Sequence, residues 1–524
     1  MKMNSPVSIV IFGASGDLTK RKLVPALFNL RHDKYLPDDV EIIGYARREK
    51  TDDQFRDEMH AGIEANSRRK PTADEWSDFA KSLSYHVGNV DDLQSYRSLA
   101  RRLEERERKL GTKVNRLFYL AVAPEHFLPI INCLSQAKLL SEPGTLPWSR
   151  VVIEKPFGHD LESARSLNKS ALEILDESQI FRIDHYLGKE TVQNILSFRF
   201  GNEIFEPLFS HHYVEHIQIT AAETLGMEGR RGAYYDTAGA IRDVVQNHVL
   251  QLLCLVAMEP PSSLEAKAVR DEKVKVLSSI SPFTADEVAE NVVRGQYTSG
   301  TMDGIAVKGY REEEGVNPAS VTDSYVAIRL NVDNWRWAGV PFLLRAGKQL
   351  QKRVTEIAVQ FKRPPLHLFA SAEVDSCDLS QAKPNALIFR IQPDEGISLS
   401  FACKVPGMEM KLQTVSMDFL YGRSFNRVSP EAYERLLLDA LRGDSTLFTR
   451  SDEVEYAWKF VTSILDGWKQ EQPAKVARYA PGSWGPAEAN RLAYGCHIGW
   501  REPLKSQEGH IKVQAAEAKS KPLA

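Results

Sequence analysis

Between Arg182 and Glu190 the sequence "RIDHYLGKE" gathers a carboxylate, an imidazole and an ammonium within six residues: Asp184, His185 and Lys189. His185 and Lys189 are four apart, so on a helix they would share a face and could grip one phosphate. Singly, a histidine or lysine is more often structural; the cluster, bounded by apolar Ile183 and Leu187, points to anion binding. Further on, "RDVVQNH" carries Asp243 and His248. His248 is the only imidazole among Val244, Val245, Val249 and Leu252, which suits either a hydrogen-bonded core histidine or a general base. Five residues turn roughly 140° on an ideal α-helix, so spacing alone does not put Asp243 and His248 on one face. Lys155, in "EKPFG", follows the apolar run "VVI". A lysine at the C-terminal end of a parallel strand points into the crevice where ligands bind; the alternatives are an ion pair with Glu154 or a surface lysine. The Lys155–Pro156 bond is open to either isomer, trans being commoner.

A second group is built for phosphate. Gly13-Ala14-Ser15-Gly16-Asp17-Leu18 lies between an apolar run and a helical pattern. Glycine there permits a tight turn and lets the backbone approach a pyrophosphate at a helix N-terminus. A two-glycine turn is weak on its own; its place after the first strand strengthens it. Lys20, Arg21 and Lys22 follow, and Lys22 is read as a phosphate or substrate contact. Where an NAD enzyme would carry an acid to hold the ribose 2′-hydroxyl, the second strand ends "GYARREK". Arg47 and Arg48 suit a 2′-phosphate, so NADP is the expected cofactor, with Glu49 leaving some room for NAD.

These groups need a frame. The 524 residues are 43% hydrophobic and 26% charged, with 67 basic against 70 acidic side chains and a formal net charge of -3. That length suits two large domains, and that balance gives no bulk attraction to nucleic acid or an anionic membrane. Five scattered cysteines show no metal-ligand spacing and suit a reducing compartment. The opening residues read as a structured strand and not a secretory signal, and the apolar stretch Val249–Met258 is too short to span a bilayer. A cytoplasmic enzyme with no metal is expected.

Val7–Phe12 and "VEIIGYA" flank a leucine-patterned helix, the opening βαβ of a dinucleotide-binding domain, and "RLFYLAVA" and "RVVIEKP" continue a parallel sheet. Residues 97–110 read as a charged amphipathic helix. After Asp184 a long helix, about Asp236 to Met258, precedes "SYVAIRLNV", "VPFLLRA", "TEIAVQFK", "NALIFRIQ" and "ISLSFACK", which alternate as antiparallel strands do; helical periodicity returns at 430–470. The expected fold is α/β plus α+β: a Rossmann-like domain at 1–184, a larger domain on a mainly antiparallel sheet at 185–505, and a disordered tail at 506–524.

GASGDLTKRKL, EKPFG, RIDHYLGKE and IRDVVQNH, in that order, resemble the glucose-6-phosphate dehydrogenase family, and the likeness runs on through VPFLLRAGK, PGMEM and GPAEANRL. The resemblance implies oxidation of glucose 6-phosphate to the 1,5-lactone with NADP. It casts His248 as general base and Asp184 as the group orienting it. His185 and Lys189 match residues binding the sugar phosphate, Glu223 and Asp243 residues binding hydroxyls. Lys155 matches a lysine touching both substrate and cofactor, and Lys348 another substrate lysine. Tyr186 and Arg353 join the substrate set, and Gly13 to Lys20, Arg47 and Tyr119 match cofactor contacts, although a strand tyrosine is more often core. It also implies a homodimer or homotetramer through the second sheet. Two departures stand out. "GRRGAYYD" is one residue longer than the usual loop, and Val354, Ala358, Ser398 and Ser400 replace the basic and aromatic residues that, with Arg345 and Arg390, mark a second, structural NADP site; none is expected here. An oxidoreductase of an unphosphorylated sugar and a non-catalytic NADP sensor are the competing readings.

Overall fold

The computed structural model describes residues 5–227, 231–366, 384–408, 410, 412–425, 429–496 and 499–503; the expected tail lies outside them. Six strands form the first sheet in parallel: β1 (Val7–Phe12), β2 (Val40–Ala46), β3 (Leu83–Val87), β4 (Asn115–Leu120), β5 (Ser149–Ile153) and β6 (Ile180–Ile183). In space the order is β6-β5-β4-β1-β2-β3, with helices between successive strands. Every residue of β1 is buried, as in a parallel strand covered on both faces, and the strand is apolar but for Ser8, whose hydroxyl accepts from Arg106. The order reverses about β1, which opens a crevice at the carboxyl ends of the strands.

The charged helix is found at Leu93–Leu110, seated through Tyr96, Leu99, Leu103 and Glu107. An unforeseen edge strand, Phe448–Thr449, pairs antiparallel with β6. It belongs to a return of the chain onto the first sheet: Trp458 Nε1 donates to the Phe157 carbonyl, and Arg68 forks onto Glu434. Residues 432–470 thus cover the first sheet although they come late in the sequence.

Among the described residues the second sheet has nine strands. The five predicted from alternation are Tyr325–Asn331, Pro341–Gly347, Val354–Phe361, Ala386–Gln392 and Gly396–Lys404. Sequence reading missed β7 (Val214–Ala222), Val292–Tyr297, Leu412–Leu420 and Ala477–Tyr479. Pairing is antiparallel except for β7 with Pro341–Gly347 and Val292–Tyr297 with Ala477–Tyr479. No helix among the described residues is long and apolar enough to cross a membrane.

The single long helix expected over Asp236–Met258 is corrected. A helix at Gly232–Ala240 is broken at Gly239, which has φ 67° and ψ 173°. Helical structure then resumes as a π-helical stretch, Ile241–Val249, running into Leu250–Ala257. Left-handed backbone ends a helix, and glycine adopts it without steric cost.

Candidate active site

A cleft of about 710 Å³ lies where the carboxyl ends of the first sheet face the second. His248 sits on its wall, fully enclosed apart from that side (3% exposed). Its Nδ1 meets Asp184 Oδ1 at 2.5 Å. Tyr186 stacks on the imidazole with centroids 4.2 Å apart and planes 15° off parallel, and His185 meets it edge-on at 4.5 Å. With Nδ1 engaged and the ring held between aromatic neighbours, Nε2 is the nitrogen left for the cleft. Burial draws the His248 pKa below the ordinary imidazole value; Asp184 opposes this and the Lys155 cation adds to it. Burial alone would raise Asp184, but the attraction of His248, with the Tyr186 N–H it accepts, holds it below the usual carboxylate value. An ionised carboxylate behind a neutral ring is the arrangement of a general base.

The π-register answers the spacing problem. Each π-helical N–H reaches the carbonyl five residues back, and the wider turn brings residues five apart onto one face. Asp243 and His248 therefore both line the cleft, against the α-helical expectation. Lys155, released from the end of β5, donates to the Asp243 carbonyl at 2.9 Å and to its Oδ1 at 3.2 Å. Burial is the largest single influence and works against the Lys155 charge, but Asp243, Tyr234 and Asp184 together outweigh it, and the Lys155 pKa is raised. The Lys155–Pro156 bond is cis.

His185 and Lys189 also reach the cleft, though not from a helix. Residues 185–188 are turns, with Leu187 N–H bonded to Asp184 O and Lys189 N–H to Tyr186 O, and Lys189 precedes the helix Glu190–Phe200. Gly188 permits this, since a Cβ there would stand 2.6 Å from the Ala432 carbonyl oxygen. Lys189 Nζ donates to Gln392 Oε1 at 2.5 Å and lies 4.8 Å from the Tyr186 ring centroid. Burial, then His248, Lys155, Lys189 and Lys22, push His185 well below its ordinary pKa; burial, with Arg353 and Lys22 adding to it, lowers Lys189. A bound dianion would relieve this crowding of cations. Lys22 bridges to Glu431 at 2.5 Å, Lys348 pairs with Glu223, and both pairs lie on the cleft with Arg353.

Toward β1 the cleft passes Asp17 and Leu18. Gly13 has φ +83°, and a Cβ there would stand 2.1 Å from the Ala121 carbonyl oxygen, so only glycine makes this turn. Ser15, Gly16 and Asp17 are exposed, with Ala14 buried beneath. Arg47 lies exposed beyond β2, with no carboxylate partner among the described residues. An open glycine turn and a free guanidinium fit the pyrophosphate and 2′-phosphate of NADP. Tyr119, expected at the cofactor, is wholly buried with its hydroxyl donating to Glu154 at 2.6 Å; on a strand covered on both faces the ring is core.

Two family models match, "Glucose-6-phosphate dehydrogenase, NAD binding domain" over residues 10–194 and "Glucose-6-phosphate dehydrogenase, C-terminal domain" over residues 196–501. The chain belongs to the glucose-6-phosphate dehydrogenase family. It is 47% identical over 498 residues to glucose-6-phosphate 1-dehydrogenase of Chlamydia pneumoniae, covering 95% of this chain and 96% of that one. A solved glucose-6-phosphate dehydrogenase in complex with glucose 6-phosphate superposes with TM-score 0.84 at 36% identity, over 96% of this chain and 100% of that one. The enzyme of Mycobacterium avium does so with TM-score 0.81 at 37% identity, over 96% and 100%.

For a member of this dehydrogenase family, the second-sheet arginines are occupied internally. Arg345 lies between Trp484 and Trp500 and donates to Thr220 and to the Arg501 carbonyl, while Arg390 bonds Ser398 and Asp418. Sequence reading also passed over Gln392, Thr355 and Tyr433, which line the cleft beside Lys189 and His185. Their only signal was position within strand or helix patterns.

Proposed function

We infer that the protein oxidises D-glucose 6-phosphate to 6-phospho-D-glucono-1,5-lactone with NADP, the entry reaction of the oxidative pentose phosphate pathway. The observation that carries this reading is the Asp184–His248 pair opening on a cleft that holds lysines on one side and leads to the glycine turn on the other. His248 Nε2 takes the proton of the C1 hydroxyl. Bound NADP+ supplies the hydride acceptor for the C1 hydrogen. Asp184 fixes the ring and stabilises the imidazolium as it forms. His185, Tyr186, Lys189, Arg353 and Lys22 hold the sugar phosphate; Asp243, Glu223 and Lys348 hold hydroxyls; Lys155 stands between sugar and cofactor. Gly13, Ala14, Ser15, Gly16, Asp17 and Leu18 hold the pyrophosphate, and Arg47 the 2′-phosphate.

We further propose domains at 1–184 and 185–505, a homodimer or homotetramer through the second sheet, a cytoplasmic location, and no second NADP site. Absorbance of NADPH with glucose 6-phosphate and then with glucose tests the main reading. Turnover of glucose 6-phosphate well above that of glucose is expected; no preference for the phosphorylated sugar would overturn it.

A further inference from the structure

Asp323 lies outside the cleft, 3% exposed, in the loop before strand Tyr325–Asn331. Where the chain reverses at Gly239, the first N–H groups of the new helical stretch have no partner within it. Two of them are taken by this one residue: Ala240 N–H donates to the Asp323 carbonyl at 2.8 Å, and Ile241 N–H to Asp323 Oδ2 at 2.8 Å. The other carboxylate oxygen fills the space over Gly239, where a Cβ would stand 2.3 Å from Oδ1. The neighbouring Ser324 carbonyl accepts the Lys348 N–H at 3.0 Å. One two-residue step of the second sheet therefore holds both the start of the stretch bearing Asp243 and His248 and the backbone of Lys348.

We propose that Asp323 is a positioning residue for catalysis: by accepting the Ile241 N–H it sets the height and rotation of the π-helical stretch, and so the reach of His248 and Asp243 into the cleft. The inference rests on His248 being the base. Burial pushes the Asp323 carboxyl up to about 7, against the pull of the Ile241 N–H, Arg242 and Arg294, and Tyr235, Tyr310 and Tyr479 are the other ionisable groups near it. Charged and uncharged forms share an acceptor oxygen, which asparagine keeps.

The test is a series, Asp323→Asn, Asp323→Ser and Asp323→Ala, with kcat, both KM values and thermal midpoint measured on folded protein. The expected order of kcat is Asn near wild type, Ser intermediate and Ala about 10- to 100-fold down, as misplacement of a reacting group does, with KM for NADP unchanged. Wild-type kcat in an alanine variant that has only lost thermal stability would overturn the proposal, as would an asparagine variant falling as far as alanine. If alanine does not fold, the order of asparagine and serine decides. His248→Asn is run alongside. If that variant keeps its kcat, the base assignment fails; if it loses kcat while the Asp323 series is flat, only the positioning role fails.

Discussion

The two ends of the cleft are built on opposite plans. At the cofactor end the working groups are backbone and exposed: a glycine turn at the mouth of β1 and Arg47 standing free beyond β2. At the sugar end they are side chains already paired: Asp184 with His248 in full burial, Lys155 with Asp243 half-buried, and Lys22 with Glu431 and Lys348 with Glu223 nearer the solvent. Water screens the first kind of group. Burial amplifies the interactions among Asp184, His248, Lys155 and Asp243 and shifts their titration. Substitutions at the sugar end should therefore cost more than those at the cofactor end.

The largest effect is expected at His248. Replacing it with asparagine removes the proton acceptor, and kcat should fall on the order of 10²-fold or more while KM for glucose 6-phosphate changes little. Steady-state kinetics measure both; a near-normal kcat would return His248 to the core and break the contrast. Next comes Lys189→Ala. Loss of a hydrogen bond to a charged group, about 1.5–3 kcal/mol, should raise KM for glucose 6-phosphate about 10- to 100-fold. Glucose lacks the phosphate and should be nearly indifferent; equal losses for both sugars would place the phosphate elsewhere.

The same contrast explains what could be read from the sequence. β1 and the glycine turn were visible because a strand covered on both faces must be apolar and because only glycine makes that turn. β7 carries the same alternation, His216, Gln218 and Thr220 against Ile217, Ile219 and Ala221, which suggests one wet face; both faces are buried, Gln218 against the carbonyl of Gly499 and Thr220 against Arg345. The motif residues at 184–189 and 243–248 stand out in the sequence, and the fold brings members of both groups to one cleft; the geometry of 243–248 is not legible, since α- and π-register carry the same residues and nothing local distinguishes them. The pairing of Asp184 with His248 spans 64 positions, and it was available only through the family resemblance.

At the cofactor end, Arg47→Ala should lower kcat/KM for NADP about tenfold or more by removing the charge-assisted bond to the 2′-phosphate, and leave NAD nearly unchanged. Measuring both cofactors with both proteins separates recognition from folding. Matching losses would mean that Arg47 supports the adenine or the fold, and the exposed end would then be less independent than its geometry suggests.

The smallest expected effect, a shift in a pH profile, bears most directly on burial. His248 must be neutral to accept a proton, so activity falls as pH drops through its pKa. An unperturbed imidazole titrates at about 6.5; burial moves His248 below that, with Lys155 adding and Asp184 opposing. The acid limb of kcat/KM should therefore lie below 6.5. The sugar phosphate itself titrates at about 6, which would confuse the reading, so glucose serves as the substrate whose only titrating partner is the enzyme. Lys155→Met should bring the limb back up, because a neighbouring cation that disfavours the imidazolium is gone. Asp184→Asn should push it further down, and it should also lower kcat as the ring loses its anchor. A wild-type limb at or above 6.5 with glucose would mean that the Asp184 carboxylate outweighs burial, and that the sugar end holds its base partly charged at neutral pH.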